Sequence, residues 1–354
     1  MNPNINSIAL QFSASESIKS INPLGNGLIN DTYQVNTSSN AFVLQRINEH
    51  VFPNPEQIMA NLQKLSQHIR LQSSNAVRLK IPAIILTNQQ KSFFKDTQQQ
   101  YWRALEFIHP AESREQLHCQ AEAEQVGFAL AHFHQLCSEL ATENLYDTLP
   151  GFHITPHYYQ QYVQLPQANT QKAYSAEINY CQQFIHHFRD KIDVLENAKI
   201  AGELKQRIIH GDPKLNNFLF EPDSHQIISL IDLDTVKPGL IHYDIGDCLR
   251  SCCYISETNH FDLDCCESIL RSYLQEAKLF FSDADYAYLF SAIQLIPFEL
   301  GLRFFSDYLV GNPYFKVSYP EQNLSRALAQ FQLTAHISHS QLQIENMLAN
   351  ISKR

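Results

Sequence analysis

Two β-prone runs, Ile29-Asn30-Asp31-Thr32-Tyr33-Gln34-Val35 and Ala41-Phe42-Val43-Leu44-Gln45-Arg46-Ile47, flank the polar tip Asn36-Thr37-Ser38-Ser39-Asn40. Runs of this kind around a polar turn predict an antiparallel hairpin. The turn signal Asn22-Pro23-Leu24-Gly25-Asn26-Gly27 precedes it. The period then lengthens. Pro53-Asn54-Pro55 opens a segment in which Ile58, Leu62, Leu65 and Ile69 recur at helical spacing, which predicts an amphipathic helix. Ile81 to Leu86 and Phe93-Phe94 suit two further strands across a turn at Thr87 to Gln90. The predicted order is strand, strand, strand, helix, strand, strand. Tyr101 to Pro110 alternates apolar and polar and stops at a proline, as a last strand running into a linker does.

Beyond the linker the chain turns helical. Val126, Leu130, Phe133 and Leu136 form one stripe, and Ile178, Cys181, Phe184, Ile185 and Phe188 another; 264–307 and 321–347 carry more of the same. One strand-like interruption stands out, Phe218-Leu219-Phe220 with Ile227 to Ile231. The division implied is a small β-rich lobe over 1–100, a hinge over 101–110 and a larger, mainly helical lobe over 111–354, an α+β architecture.

Composition narrows the class of partner. The 354 residues suit two lobes, and 44% apolar against 18% charged residues can fill a core. A formal net charge of -10 argues against a nucleic-acid groove, which needs a basic face, although a few cations or backbone N–H groups can still hold a phosphate. No apolar run approaches the ~18 residues of a membrane span, and Met1 to Ser7 lacks a signal-peptide pattern. With eight cysteines, a cytoplasmic location with reduced thiols is the expectation. Cys252-Cys253, His260 and Cys265-Cys266 lack zinc-ligand spacing and read as buried small side chains. His132 and His134, on an apolar helix, read as packing or surface residues.

The candidate chemistry lies at the interruption: Ile209-His210-Gly211-Asp212-Pro213-Lys214-Leu215-Asn216-Asn217, then Ile231-Asp232-Leu233-Asp234-Thr235, then Tyr243-Asp244-Ile245-Gly246-Asp247. In a tight loop, an Asp, a Lys two residues on and an Asn five residues on converge on one point, and Asp232, ending a hydrophobic strand, can meet them. Phosphoryl transfer needs such parts: a carboxylate for the acceptor hydroxyl, a cation for the transferred phosphoryl, and oxygen ligands for Mg²⁺.

His-x-Asp-x-Lys-x-x-Asn followed by a strand ending Ile-Asp resembles the core of the protein-kinase-like fold, and His-Gly-Asp looks like its aminoglycoside phosphotransferase and choline kinase branch. Within that branch the chain resembles the N-acetylhexosamine 1-kinase subfamily. The motifs are Gly25 to Tyr33, Gln45-Arg46-Ile47-Asn48, Lys214-Leu215-Asn216-Asn217, Ile231 to Gly239, Tyr243 to Asp247, Gly301 to Leu309 and Tyr314-Phe315-Lys316.

The resemblance implies a bilobal protein-kinase-like fold with ATP and Mg²⁺ in the cleft. It implies Asp212 as catalytic base, Lys214 on the transferred phosphoryl, Asn217 and Asp232 as metal ligands, and His210 and Asp244 as supports of the catalytic loop. Nucleotide contacts fall to Gly25, Gly27, Gln45 and the hinge residues Glu106 and Ile108. Asp234, Arg303 and Tyr314 become substrate-binding candidates. For Arg303 an ion pair to Glu299 or Asp307 is the competing reading, for Asp234 an ordinary loop carboxylate, and Lys237 reads as a solvated loop lysine.

One departure is plain. Kinase-like folds place a lysine on the third strand, whereas here Gln45 holds that place, Arg46 points to the other face, and Glu56 of the following helix loses its usual partner. The implied activity is phosphate transfer from ATP to a small-molecule hydroxyl, the anomeric hydroxyl of an N-acetylhexosamine foremost. Choline, homoserine or an aminoglycoside are alternative acceptors. The missing lysine keeps a non-catalytic kinase-like binding protein open.

Overall fold

A computed structural model describes residues 5–13, 16–25, 29–72, 78–165 and 175–352. Its amino-terminal sheet contains β1 (Ile18–Pro23), β2 (Asp31–Thr37), β3 (Ala41–Arg46), β4 (Ile84–Ile85), β5 (Phe94–Lys95) and β6 (Tyr101–Glu106). The order is β1-β2-β3-β6-β4, with β5 also on β6, and every pairing is antiparallel. The predicted hairpin is β2–β3, in register Tyr33↔Leu44 and Val35↔Phe42. Alternation divides the sheet's faces. Val35, Phe42, Leu44, Trp102 and Ala104 bury one face under a short helix not foreseen, α1 (Ile5–Ala9), through Ile5, Ile8, Ala9 and Phe12. Gln45 and Arg103, paired across β3 and β6, belong to the opposite face.

The predicted helix is α2 (Pro55–Leu71), with Pro55 in its first turn, where the missing N–H costs nothing. Its stripe Ile58, Leu62, Leu65 and Ile69 joins the large core that also holds Val126, Leu130, Phe133, Leu230 and Ile269. Buried Asn61 adds a polar staple: its Nδ2 donates to Val236 O and Tyr146 O, and its Oδ1 accepts from Tyr146 N.

The remaining elements are β7 (Glu112–Ser113), α3 (Gln120–Cys137), α4 (Thr155–Val163), α5 (Ala176–Phe188), α6 (Val194–Ile200), β8 (Arg207–Ile209), β9 (Phe218–Phe220), β10 (Ile227–Leu230), β11 (Lys237–Gly239) and α7 (Ile241–Cys252). Then follow β12 (Tyr254–Ile255), β13 (His260–Phe261), α8 (Leu263–Glu276), α9 (Asp283–Ala287), α10 (Leu289–Leu309), α11 (Gln322–His339) and α12 (Gln341–Ser352). This is the bilobal α+β arrangement expected, a sheet-rich first part and a helical second part. The strand-like interruption foreseen at Phe218–Phe220 and Ile227 to Ile231 is the antiparallel pair β9–β10, extended by β7. Two further pairs, β8–β11 and β12–β13, correct the reading of a single strand interruption. Each strand is too short to show an alternation.

Helix α3 lies close on α8 because Gly127 has no side chain; a Cβ there would sit 2.1 Å from Ile269 O. Cys252, Cys253 and Cys266 are buried and Cys265 partly so, all with free thiols. Helix α10 is long and apolar enough to cross a membrane by length and composition, an exception to the reading that no segment is, and 67% of that stretch is buried within the protein. It packs on α11 through Phe298, Phe305 and Phe331.

Candidate active site

Strand β8 delivers the chain to the His210–Asn217 loop, and the buried carboxylate of Asp244 on α7 fixes the loop's start. Asp244 Oδ2 accepts from His210 N at 2.7 Å and Oδ1 from Gly211 N at 2.8 Å, while His134 Nε2 lies 2.9 Å from Oδ2. Burial opposes this charge, but His134 and the loop N–H groups outweigh it and hold Asp244 below the usual carboxylate range. His134, read from sequence as packing or surface, is thus a buried partner of that carboxylate. His210 Nε2 donates to Ile231 O at 2.9 Å and its Nδ1 accepts from Asp212 N at 3.2 Å, a pattern that needs the neutral ring. Burial lowers its pKa accordingly. Gly211 has φ +87°, and a Cβ there would lie 2.6 Å from Thr235 O, so both backbone and space require glycine.

A second brace was not foreseen. His153 Nε2 donates to Gly211 O at 2.8 Å and Nδ1 lies 3.1 Å from Glu299 Oε1. Both partners are acceptors, so the ring satisfies them only as imidazolium. Burial pushes its pKa down, yet Glu299, with Asp247 also facing it, prevails and raises it above 6.5. A raised folded-state pKa contributes stability that is fully present below the unfolded value of about 6.5 and is lost as pH rises through the folded one. The thermal-stability advantage of wild type over His153→Gln is therefore expected to shrink from pH 6 to pH 9; a gap that stays constant refutes the charged brace.

Asp212, Lys214, Asn217 and Asp232 converge as the spacing implied. Lys214 Nζ lies 2.6 Å from Asp212 Oδ2 and 3.8 Å from Asp232 Oδ2. Asn217 Nδ2 donates to Asp212 O at 2.7 Å, and among the described residues nothing donates to its amide oxygen. Burial disfavours charge on Lys214, but Asp212 and Asp232 override it and raise its pKa. Asp232 adopts the left-handed conformation, φ 65° and ψ 54°, which a non-glycine residue seldom holds outside functional loops. Its dense surroundings, with Asp234 and Asp212 near, push its carboxyl up to about 6 despite Lys214. Water still reaches 40% of the side chain, so it is open to solvent. The Asp232 carboxylate and the Asn217 amide oxygen, to which nothing donates among the described residues, are donors of the kind a hard cation such as Mg²⁺ takes.

Asp234 is engaged on three sides. Its Oδ1 pairs with Arg103 Nη2 at 2.5 Å, its Oδ2 accepts from Asn30 Nδ2 at 2.8 Å, and its backbone O from Thr148 Oγ1 at 2.6 Å. Gln45 Oε1 in turn accepts from Arg103 Nε at 3.0 Å and Nη2 at 2.8 Å. Arg46 pairs with Asp31 on the other face. Glu56 finds partners after all, the Tyr101 hydroxyl at 2.9 Å and Lys95 at 3.7 Å. Gly25, two residues past β1, has φ +70°, and no described atom lies within 4 Å of where its side chain would stand, whereas Gly27 lies outside the described residues. Glu106 ends β6, and Ile108, just beyond it, is buried with no hydrogen bond to its N–H among the described residues.

The ion pair offered as a competing role for Arg303 does not form. Glu299 accepts from His153 and Thr155, and Asp307 accepts from Tyr314 N, Phe315 N and Asn323 Nδ2. Arg303 lies instead among rings, its Cζ 5.0 Å from those of Phe152 and Tyr158, 5.9 Å from Tyr314 and 5.5 Å from Phe315. Arg303 and Tyr314 are therefore neighbours, and Phe152 connects them to His153 and the catalytic loop. Lys237 is corrected as well. It is buried, its Nζ bonded to Asp147 Oδ1, Leu149 O and Phe152 O at 2.9, 3.0 and 3.3 Å, enough acceptors to bury an ammonium.

Solved structures match this arrangement along nearly the whole chain. A microcompartment-associated aminopropanol kinase superposes with a TM-score of 0.66 at 17% identity, covering 96% of this chain and 98% of its own. An aminoglycoside phosphotransferase from Alicyclobacillus acidocaldarius gives 0.62 at 15%, with 96% of each chain covered. The amicoumacin kinase hAmiN, solved with AMP-PNP, Ca²⁺ and Ami, gives 0.62 at 14%, again with 96% of each chain covered. At these identities they establish the shared kinase-like fold. The family model of the phosphotransferase enzymes (APH) matches residues 20–277, from β1 through the catalytic loop to the end of α8. The chain belongs to the phosphotransferase enzyme family.

Proposed function

We propose that this protein is a kinase that transfers the γ-phosphate of ATP to the anomeric hydroxyl of an N-acetylhexosamine. Asp212 is the base that takes the acceptor proton. Lys214, held between Asp212 and Asp232, offers its positive charge to the moving phosphoryl. Asn217 and Asp232 would hold Mg²⁺, which neutralises phosphate charge when bound. The backbone after β6 at Glu106 and Ile108 meets the adenine, and the Ile108 N–H, without a hydrogen bond among the described residues, supports that placement. Nucleotide and divalent-metal use in this fold has a precedent in the amicoumacin kinase solved with AMP-PNP and Ca²⁺.

One observation carries the acceptor. Arg303 keeps its charge among four aromatic rings, with no carboxylate partner among the described residues, one residue from the His153 brace of the catalytic loop through Phe152. A cation there repels the ammonium groups of choline or an aminoglycoside. It can donate instead to a neutral oxygen, such as the amide carbonyl of an acetamido group, while a ring such as Tyr314 covers a pyranose face. A site built to donate to one group discriminates against analogues that lack it.

The test is ADP-release kinetics with GlcNAc, GalNAc, unmodified hexoses, choline, homoserine and an aminoglycoside. Arg303→Ala is expected to raise the KM for the sugar roughly 10-fold or more, the scale of a lost charged hydrogen bond, with the KM for ATP near wild type. If choline or an aminoglycoside exceeds every hexose in kcat/KM, the acceptor is wrong and the kinase stands. ADP release with none of them defeats the kinase reading.

A further inference from the structure

The absent third-strand lysine leaves the nucleotide's α- and β-phosphates without their usual cation. We infer that Arg103 on β6 supplies that cation, with Gln45 and Asp234 as its positioning partners; this deepens the nucleotide-dependent reading above and rests on it.

Strand register is the first ground. Gln45 and Arg103 face each other directly, so their side chains share the face turned away from α1. The residue that replaces the lysine and the arginine that replaces its charge are therefore adjacent. The contact between them explains the exchange. Gln45 Oε1 accepts from both Nε and Nη2 of Arg103, whereas a lysine at position 45 would bring a second cation against the first. Gln45 is the residue that a guanidinium at 103 calls for.

The second ground is an unused donor. Arg103 is 1% exposed, and among the described residues its Nη1 has no hydrogen-bond partner. Buried donors are almost always satisfied, and an orphan calls for an explanation. A phosphate oxygen is an acceptor of the right charge, and a guanidinium meets phosphate with a planar pair of N–H groups. Placement is the third ground. Arg103 pairs with Asp234 and acts electrostatically on Asp232, so it stands beside the solvent-open carboxylate. The usual helix partner of the missing lysine is accounted for too: Glu56 faces Tyr101 and Lys95 instead.

A purely structural Arg103–Asp234 clasp between the lobes is the competing role, and the two separate in binding. Calorimetric titration with Mg·ADP and with adenosine would use wild type, Arg103→Gln and the exchanged pair Gln45→Lys/Arg103→Gln, with thermal melts confirming that each is folded. Arg103→Gln is expected to weaken Mg·ADP about 10- to 100-fold, the scale of a lost charged hydrogen bond, while adenosine changes less than about two-fold. The exchanged pair should recover most of the Mg·ADP affinity. Should Arg103→Gln fail to fold, Arg103→Gln/Asp234→Asn, which removes both halves of the ion pair, takes its place with the same expectation. Mg·ADP affinity unchanged in a folded variant, or equal losses for Mg·ADP and adenosine, overturns the role of Arg103 and leaves the nucleotide site standing. A wild-type protein that binds neither ligand overturns the nucleotide reading itself.

Discussion

Asp212→Asn is expected to lower kcat by roughly 10²–10⁴, the range of lost general-base assistance, and to leave Mg·ATP binding nearly unchanged. The substitution is close to isosteric, and the elements that place residue 212 do not depend on its charge. Asp244 holds the preceding N–H groups, His153 holds Gly211 O, and Asn217 Nδ2 holds the Asp212 backbone oxygen. The fold should therefore survive. What disappears is the acceptor for the substrate proton, together with the 2.6 Å contact that keeps Lys214 beside it. Rapid-mix measurement of the phosphoryl-transfer step, alongside nucleotide binding, separates chemistry from product release. Turnover near the wild-type rate in this variant would remove Asp212 from the mechanism.

How much of this was legible in the chain depends on how local the determining contacts are. The β2–β3 hairpin, α2 and the grouping of Asp212, Lys214 and Asn217 depend on neighbours within a few residues, so period and spacing expose them. Strands β8, β11, β12 and β13 are two or three residues long and form only because a partner lies alongside. Arg103 stood in view as a lone charge within an apolar strand, a position where burial demands partners. Those partners, Gln45 and Asp234, lie far away in sequence and come together only when β6 joins β3 and the lobes meet. Lys237 misleads for the same reason, since its acceptors come from a segment some 90 residues earlier. His134 and His153 resemble packing residues until Asp244 and Glu299 arrive from other helices. For Arg303 the i−4 and i+4 carboxylates made an ion pair the natural local reading. Tertiary competitors claimed both carboxylates and left the guanidinium to the rings.

Asp232→Ala is expected to raise the Mg²⁺ concentration needed for activity by on the order of 10²-fold or more, since loss of outer partners of a metal alone typically costs 10–100-fold. Asn217→Ala should have the same direction and a smaller size, because an amide oxygen brings no net charge to the cation. The protein without metal should respond oppositely to a milder change. Asp212, Asp232 and Asp234 crowd one end of the cleft, where Lys214 and Arg103 are shared among them. Removing one carboxylate charge relieves the repulsion that Lys214 and Arg103 offset only in part without a bound cation, so Asp232→Asn should melt no lower than wild type in EDTA and should gain less from added Mg·ADP. Three readouts bear on this: Mg²⁺ titration of activity, calorimetric Mg·ADP binding, and melts with and without metal. If the metal dependence of both Asp232→Ala and Asn217→Ala matches wild type, the cation is held elsewhere. If Asp232→Asn instead collapses the apo fold, the left-handed Asp232 is a structural keystone and its exposure to solvent is incidental.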